Sequence, residues 1–146
     1  MAHQNAADSR YRTKPLLDFV TRTIAREDGV LRSIRESTQS KGLPPINVGP
    51  DEGRILHFLA SACCAAKIVE VGTLAGYSAC WLARSLPKGG MLHTIEYDPR
   101  HAQVAKENIA LNNLPLGPNE VLGADLFHFL RSTTQKFDFI ILDPPA

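Results

Sequence analysis

The spacing of apolar residues divides the chain into a helical first part and a mixed second part. Before residue 66, apolar side chains recur every three to four positions, which is typical of helices with one buried face. The pattern predicts helices over Pro15–Ala25, from Asp28 to about Gly42, and over Asp51–Ala65, with Asp28 as a helix cap. Residues 1–13 are polar, and we expect them to form a flexible tail.

After residue 66, short apolar runs rich in β-branched residues alternate with helical stretches. The runs predict four strands, and the stretches between them predict three helices. The strands are Ile68–Val71, Met91–Ile95, Glu120–Leu122 and Phe137–Leu142, and the helices are Tyr77–Ser85, Pro99–Leu111 and Leu126–Ser132. Strands joined by crossover helices pair in parallel, and right-handed crossovers favour a doubly wound sheet. The sequence therefore predicts a single Rossmann-like α/β domain over residues 14–146, with helices in 14–65, a βα core in 66–146 and strand order 3-2-1-4.

Length, charge and composition narrow the classes of function. A chain of 146 residues, 44% hydrophobic and 21% charged, fits one domain with one core. Its 16 basic and 15 acidic residues are interspersed, so we predict no nucleic-acid partner. No apolar run has the length of a membrane span or signal peptide, and we expect a soluble, cytoplasmic protein without a membrane partner. The cysteines, Cys63, Cys64 and Cys80, show no Cys-x-x-Cys spacing and are expected to pack in the core.

A glycine turn follows the first predicted strand, where doubly wound sheets bind their ligands. The chain runs Glu70-Val71-Gly72 and enters the next helix through Thr73-Leu74-Ala75-Gly76-Tyr77-Ser78. Gly72 and Gly76 permit close backbone approach and leave free amide hydrogens at the helix start. Dinucleotide sites usually show Gly-x-Gly-x-x-Gly, but Leu74 stands where the second glycine would admit a pyrophosphate. This spacing favours a ligand without phosphates.

Carboxylates lie near this turn and at the other strand ends. Glu96 closes the second strand, twenty residues after Gly76, where a carboxylate can accept both hydroxyls of a ribose. Glu70 would suit a cationic amino group such as that of methionine. Asp125, after the third strand, can contact an adenine amino group, cap the following helix, or do both. These features together predict a nucleoside site.

Three segments carry a resemblance to a known family: Pro50–Leu56, Glu70–Ser78 and Thr94–Pro99, of which Gly76-Tyr77-Ser78 is the most specific part. From Pro15 to Asp143 the chain resembles the cation-dependent O-methyltransferases, which include the catechol and caffeoyl-coenzyme A enzymes. The resemblance implies S-adenosylmethionine (SAM) as cofactor and methyl transfer to a hydroxyl of a small catechol-like or phenolic acceptor. It also implies a homodimer.

The resemblance further implies roles for individual residues. Val48 and Glu52 would lie over the cofactor, Glu70, Gly72, Thr73 and Ser78 would hold its methionine part, Glu96 would take the ribose, and Ala124 would lie by the adenine. Asp143 would be a catalytic residue and one of three ligands of a divalent ion, usually magnesium. Such an ion lowers the pKa of the acceptor hydroxyl and orients its oxygen for attack on the methyl group.

The end of the sequence leaves alternatives open. Asp143-Pro144-Pro145 resembles the Asp-Pro-Pro-aromatic motif of amino-group methyltransferases that act on nucleic-acid bases, with Ala146 in place of the aromatic. A non-catalytic SAM-binding remnant or interaction module would keep the glycine turn without the chemistry, since the family's two other metal ligands have no counterpart. The last strand would form an exposed apolar edge, so we expect a fragment or a chain whose edge is covered by a partner.

Overall fold

The computed structural model describes residues 13–111, 121–123 and 126–143. Three helices precede the first strand, and strands then alternate with helices. The helices are α1 (Lys14–Thr23), α2 (Gly29–Ser40), α3 (Pro50–Ala62), α4 (Tyr77–Ala83), α5 (Pro99–Leu111) and α6 (Leu126–Ser132). The strands are β1 (Lys67–Val71), β2 (Met91–Glu96), β3 (Val121–Gly123) and β4 (Phe139–Leu142).

The four strands form one parallel sheet in the order β3-β2-β1-β4. Strand β1 pairs with β2 from Lys67↔Met91 to Val71↔Ile95 and with β4 from Ile68↔Phe139 to Val71↔Leu142. Strand β2 pairs with β3 from Thr94↔Val121 to Glu96↔Gly123. Because all pairs are parallel and helices connect them, the predicted Rossmann-like α/β class is confirmed. The register also brings the carboxyl ends of β1, β2 and β4 to one edge of the sheet.

Strand β1 is central and buried, whereas β4 pairs, among the strands that the structure describes, with β1 alone. Residues 68–71 are all buried. In β4, Ile140 and Leu142 are exposed at 56% and 66%, so the prediction of a fully buried strand is wrong for these residues. The apolar run shows that the residues favour burial, but it cannot show how many neighbours the strand has. The strand begins at Phe139, two residues later than predicted, and just before it the Asp138 carboxylate accepts hydrogen bonds from the amides of residues 66 and 67 at 2.9 Å each.

Local backbone chemistry explains where the helices begin and end. Asp28 caps α2 as predicted, accepting the amide hydrogen of Leu31 at 3.1 Å. Helix α3 ends at Ala62, before the predicted Ala65, because Cys64 turns into the left-handed region at a φ of 51°. Cys63 and Cys64 are therefore exposed, contrary to the expected core packing, which holds for Cys80.

Helix α4 is buried between the sheet and the preceding helices. Its Trp81 ring packs against the backbone of Gly53 in α3, where a Cβ would lie 2.3 Å from Cδ1 of the indole. This contact seats α4 and the turn that precedes it. The predicted tail, residues 1–13, lies outside the described residues except for Thr13. Within the part that is described, no helix combines the length and apolar character needed to cross a membrane.

Candidate cofactor site

The segment between β1 and α4 forms a tight turn. Gly72 has a φ of 96°, and its amide donates to the carbonyl of Ile95 in β2 at 2.9 Å. Leu74 and Gly76 also have positive φ values, of 50° and 89°. Glycine adopts this region without steric penalty, so Gly72 and Gly76 let the chain reverse within a few residues. Gly76 then serves as the N-cap of α4 in a left-handed conformation.

The carboxylate of Glu96 holds this turn from the neighbouring strand. Its Oε2 accepts the amide hydrogens of Thr73 at 3.1 Å and Leu74 at 2.8 Å, while its Oε1 accepts that of Asp98 at 3.0 Å. Glu96 is only 5% exposed. Hydrogen bonds from backbone amides to a carboxylate are among the stronger ones in proteins. One side chain therefore fixes both the turn after β1 and the chain leaving β2.

A second carboxylate, that of Glu70, is buried beneath the turn. Its Oε2 accepts the hydroxyl hydrogen of Thr94 at 2.6 Å, and the hydroxyls of Thr94 and Thr73 lie 2.5 Å apart. When Glu70 is ionised, Thr94 gives its single hydrogen to Glu70, so Thr73 must donate to Thr94. This chain of hydroxyls connects Glu70 to the surface of the turn.

Burial raises the pKa of Glu70 to about 7, against the opposing effect of hydrogen bonds from Ser78 and Thr94. The negative charges of Asp143 and Glu96 contribute to this rise. Together with Glu70 in its ionised form, these two carboxylates give the site a negative potential that favours a cationic ligand.

A cavity lies over the turn, at the carboxyl ends of β1, β2 and β4. The segment from Pro44 to Val48 forms one wall, and His101 at the start of α5 borders it near Glu96. The cavity brings together the predicted residues Val48, Gly72, Thr73, Ser78, Glu96 and Asp143. The structure thus gathers residues from five places in the sequence around one concave site, which is where a doubly wound sheet binds its ligand.

Other predicted residues lie elsewhere. Glu70 is 1% exposed and does not line the cavity, to which it is connected by the hydroxyls of Thr94 and Thr73. A Cβ on Gly76 would meet α5, at 3.7 Å from Ile109, rather than the cavity. Glu52 accepts the amide hydrogen of Gly49 at 2.6 Å and so completes the start of α3. The predictions for Ala124 and Asp125, and those for Pro144, Pro145 and Ala146, lie outside the described residues.

Several residues of the site carry little signal in the sequence. Ile46, which lines the cavity, lies between two predicted helices, in a segment whose prolines and glycine predict neither a helix nor a strand. His101 carries a weak signal, because it follows Glu96 by five positions at the start of a predicted helix. Tyr77 belongs to the Gly76-Tyr77-Ser78 motif, which carries no sign that this residue lines the cavity.

Asp143 lines the cavity, and its amide donates to the carbonyl of Val71 at 2.9 Å. A divalent ion in an all-protein site needs several oxygen ligands. Over residues 13–111, 121–123 and 126–143, no group of three His, Cys, Asp or Glu side chains could hold a metal ion. The described residues therefore do not form a complete metal site, and the metal stays a prediction.

Comparison with known proteins identifies the family. The sequence model described as "O-methyltransferase" matches residues 21–144. The chain belongs to the O-methyltransferase family. Among curated members of this family, the chain is 47% identical over 91 residues to a catechol O-methyltransferase of Niastella koreensis, covering 62% of this chain and 41% of that protein. It is 32% identical over 125 residues to a catechol O-methyltransferase of Mycobacterium tuberculosis, covering 86% of this chain and 57% of that protein.

Solved structures of O-methyltransferases share the fold. A Bacillus cereus O-methyltransferase in complex with S-adenosylhomocysteine (SAH) matches with a TM-score of 0.82 at 33% identity. The match covers 89% of this chain and 60% of that one. An O-methyltransferase of Streptomyces achromogenes in complex with SAM matches with a TM-score of 0.79 at 29% identity, over 98% of this chain and 63% of that one. The chain spans about half the length of the curated relatives that it matches.

Proposed function

We propose that this chain binds SAM in the cavity over the glycine turn and belongs to an enzyme that transfers the methyl group to a hydroxyl of a small acceptor. The observation that carries the proposal is the position of Glu96. Its carboxylate holds the turn after β1 and also borders the cavity at the end of β2. The complexes of related O-methyltransferases with SAH and SAM support this ligand.

The residues of the cavity fit SAM chemically. Glu96 can accept a ribose hydroxyl, and Gly72, which has no side chain, allows the ligand to approach the backbone closely. The hydroxyls of Thr73 and Ser78 can hold polar groups of the methionine part, while the negative potential of Glu70 and Asp143 favours its ammonium and sulfonium charges. When bound, SAM supplies an electrophilic methyl group. Val48, from the opposite wall, would orient the ligand and exclude water.

We further propose a catechol-like or phenolic acceptor. Two relatives that carry the name catechol O-methyltransferase support this class. A divalent cation, expected to be magnesium, is part of the same proposal, with Asp143 as one ligand and the remaining ligands supplied from outside the described residues.

Calorimetric titration with SAM and with its demethylated product, SAH, tests the cofactor proposal. We expect both to bind, and we expect Glu96→Ala to weaken each by about tenfold or more, since it removes a charged acceptor. Glu36→Ala, on the exposed side of α2, is the matched control and should leave both affinities unchanged. The proposal fails if the native chain binds neither compound, or if Glu96→Ala binds them as tightly.

Methyl transfer to catechol, measured with and without magnesium, tests the acceptor and the cation. We expect turnover that requires magnesium and is lost in Asp143→Ala, while this variant still binds SAH, more weakly because one negative charge of the cavity is removed. A chain that binds SAH but methylates no hydroxyl acceptor would instead be a non-catalytic SAM-binding module. Transfer to a nucleic-acid base in place of catechol would favour the amino-group alternative.

A further inference from the structure

One acceptor position on Glu96 is left over after the turn has been held. A carboxylate offers about four lone-pair sites, two on each oxygen. Oε2 of Glu96 uses both of its sites on the amides of Thr73 and Leu74. Oε1 accepts the amide hydrogen of Asp98, and among the described residues nothing else donates to it. Any ligand hydroxyl bound by Glu96 must therefore use the remaining site on Oε1.

His101 faces this same oxygen. Its Nδ1 lies 3.8 Å from Oε1 of Glu96, and its Nε2 lies 3.9 Å from Oδ2 of Asp98. Both distances exceed hydrogen-bond length, so the ring is adjacent to two carboxylates but hydrogen-bonded to neither of them. The ring borders the cavity and is 20% exposed.

The backbone around His101 is well anchored. Asp98 Oδ1 accepts the amide hydrogen of Arg100 at 2.8 Å and that of His101 at 3.4 Å, and so caps the first turn of α5. The backbone of His101 is therefore anchored next to the strand end that carries Glu96.

We infer that Glu96 and His101 together recognise one ribose hydroxyl, and that His101 is the residue that makes this site select a ribonucleoside over its deoxy analogue. The inference rests on the proposed function. A hydroxyl both donates and accepts, a carboxylate only accepts, and an imidazole N–H donates. A hydroxyl oxygen between the two groups can lie within hydrogen-bond distance of both Oε1 and Nδ1. A ligand without that hydroxyl leaves the remaining site on Oε1 and the imidazole N–H without this partner, which is the arrangement that gives polar sites their strongest discrimination.

The test compares SAH with its 2′-deoxy and 3′-deoxy analogues by calorimetric titration. We expect the native chain to bind SAH at least about tenfold more tightly than one of the two analogues. His101→Ala should weaken the binding of SAH by about five- to twentyfold and change the affinity for that analogue by no more than about twofold. The preference for SAH over the analogue then largely disappears. His101→Gln keeps an N–H donor and should restore part of the discrimination. Gln103→Ala, an exposed position on the same helix, is the matched control and should change none of these affinities.

A purely structural or electrostatic role for His101 predicts no change in the preference for SAH over its analogues. His101→Ala would then weaken SAH and both analogues by the same factor, and that result overturns the inference. Unchanged SAH affinity in His101→Ala overturns it as well. Failure of the native chain to bind SAH overturns the proposed function itself, so the two failures are distinguishable.

Discussion

The phenol of Tyr77 donates a 2.7 Å hydrogen bond to Oε1 of Glu27, fifty positions earlier in the chain. The other oxygen of Glu27 forms a 2.6 Å ion pair with Arg35. Both partners of the hydrogen bond are buried, Tyr77 at 2% and Glu27 at 9% exposure. Burial and the hydrogen bond to Glu27 raise the pKa of Tyr77 well above its ordinary value, so its hydroxyl remains a donor. The bond joins the loop between α1 and α2 to the first residue after the glycine turn.

Tyr77→Phe removes the donor and leaves a buried carboxylate oxygen without its partner. We expect a loss of about 1–3 kcal/mol in the free energy of unfolding, measured by urea denaturation. Tyr97→Phe is the control, because Tyr97 is 84% exposed. Equal stability of the two variants would contradict the structural importance of the bond.

Gly53→Ala tests the contact between α3 and Trp81. A Cβ at this position would lie 2.3–2.9 Å from three atoms of the indole, so the ring or the helix would have to move. We expect the variant to be destabilised by about 1–3 kcal/mol, although alanine by itself favours the helix. Gly29→Ala, where nothing lies within 4 Å of the added Cβ, should be neutral or slightly stabilising. A shift of the thermal midpoint in the same direction for both variants would contradict the argument.

Glu70 makes the stability of the protein depend on pH near neutrality. Its pKa rises from 4.5 to about 7 on folding, so the folded state retains a proton that the unfolded state has lost. The stabilisation is complete below pH 4.5 and is lost as the pH rises through about 7. We therefore expect the free energy of unfolding to fall between pH 5 and pH 8 by a few kcal/mol, at most about 3.

Glu70→Gln is the matched comparison, because it keeps the size of the side chain and removes the titration. The difference in unfolding free energy between the native chain and this variant should shift in favour of the variant as the pH rises from 5 to 8. A difference that does not change with pH would show that Glu70 keeps an ordinary pKa.

Thr94→Val tests the chain of hydroxyls that leads from Thr73 to Glu70. Valine preserves the shape of threonine but leaves the hydroxyl of Thr73 and the carboxylate of Glu70 without this partner. We expect a loss of about 1–3 kcal/mol in stability and weaker binding of SAH, because Thr73 lines the cavity. Thr134→Val, at an exposed position, should have neither effect. Native SAH affinity in Thr94→Val would show that Thr73 keeps its place without the connection.

Local patterns predicted much of the fold and part of the site. The alternation of strands and helices follows from periodic burial, and the turn follows from glycines that can adopt positive φ with an acid at the end of the next strand. Pairings that depend on tertiary packing left no such pattern. Glu27 and Tyr77 lie in different elements, and only the packing of the loop before α2 against α4 brings them together.

Glu52 shows a different difficulty. The family resemblance implies that it lies over the cofactor, which stays a prediction, and in the structure its carboxylate accepts the amide hydrogen of Gly49. A glutamate three positions after the start of a helix is also a common capping residue, and the sequence could not separate the two roles.

Glu96 both holds the binding loop and borders the cavity, which limits how the ligand specificity of this site could be redesigned. Exchanging Glu96 for another side chain would release the amides of Thr73 and Leu74, so a variant intended for a different nucleoside would lose two hydrogen bonds that hold its binding loop. His101 holds no part of that loop through its side chain. A change at His101, the residue inferred above to select the sugar, would therefore leave these two contacts of the loop in place.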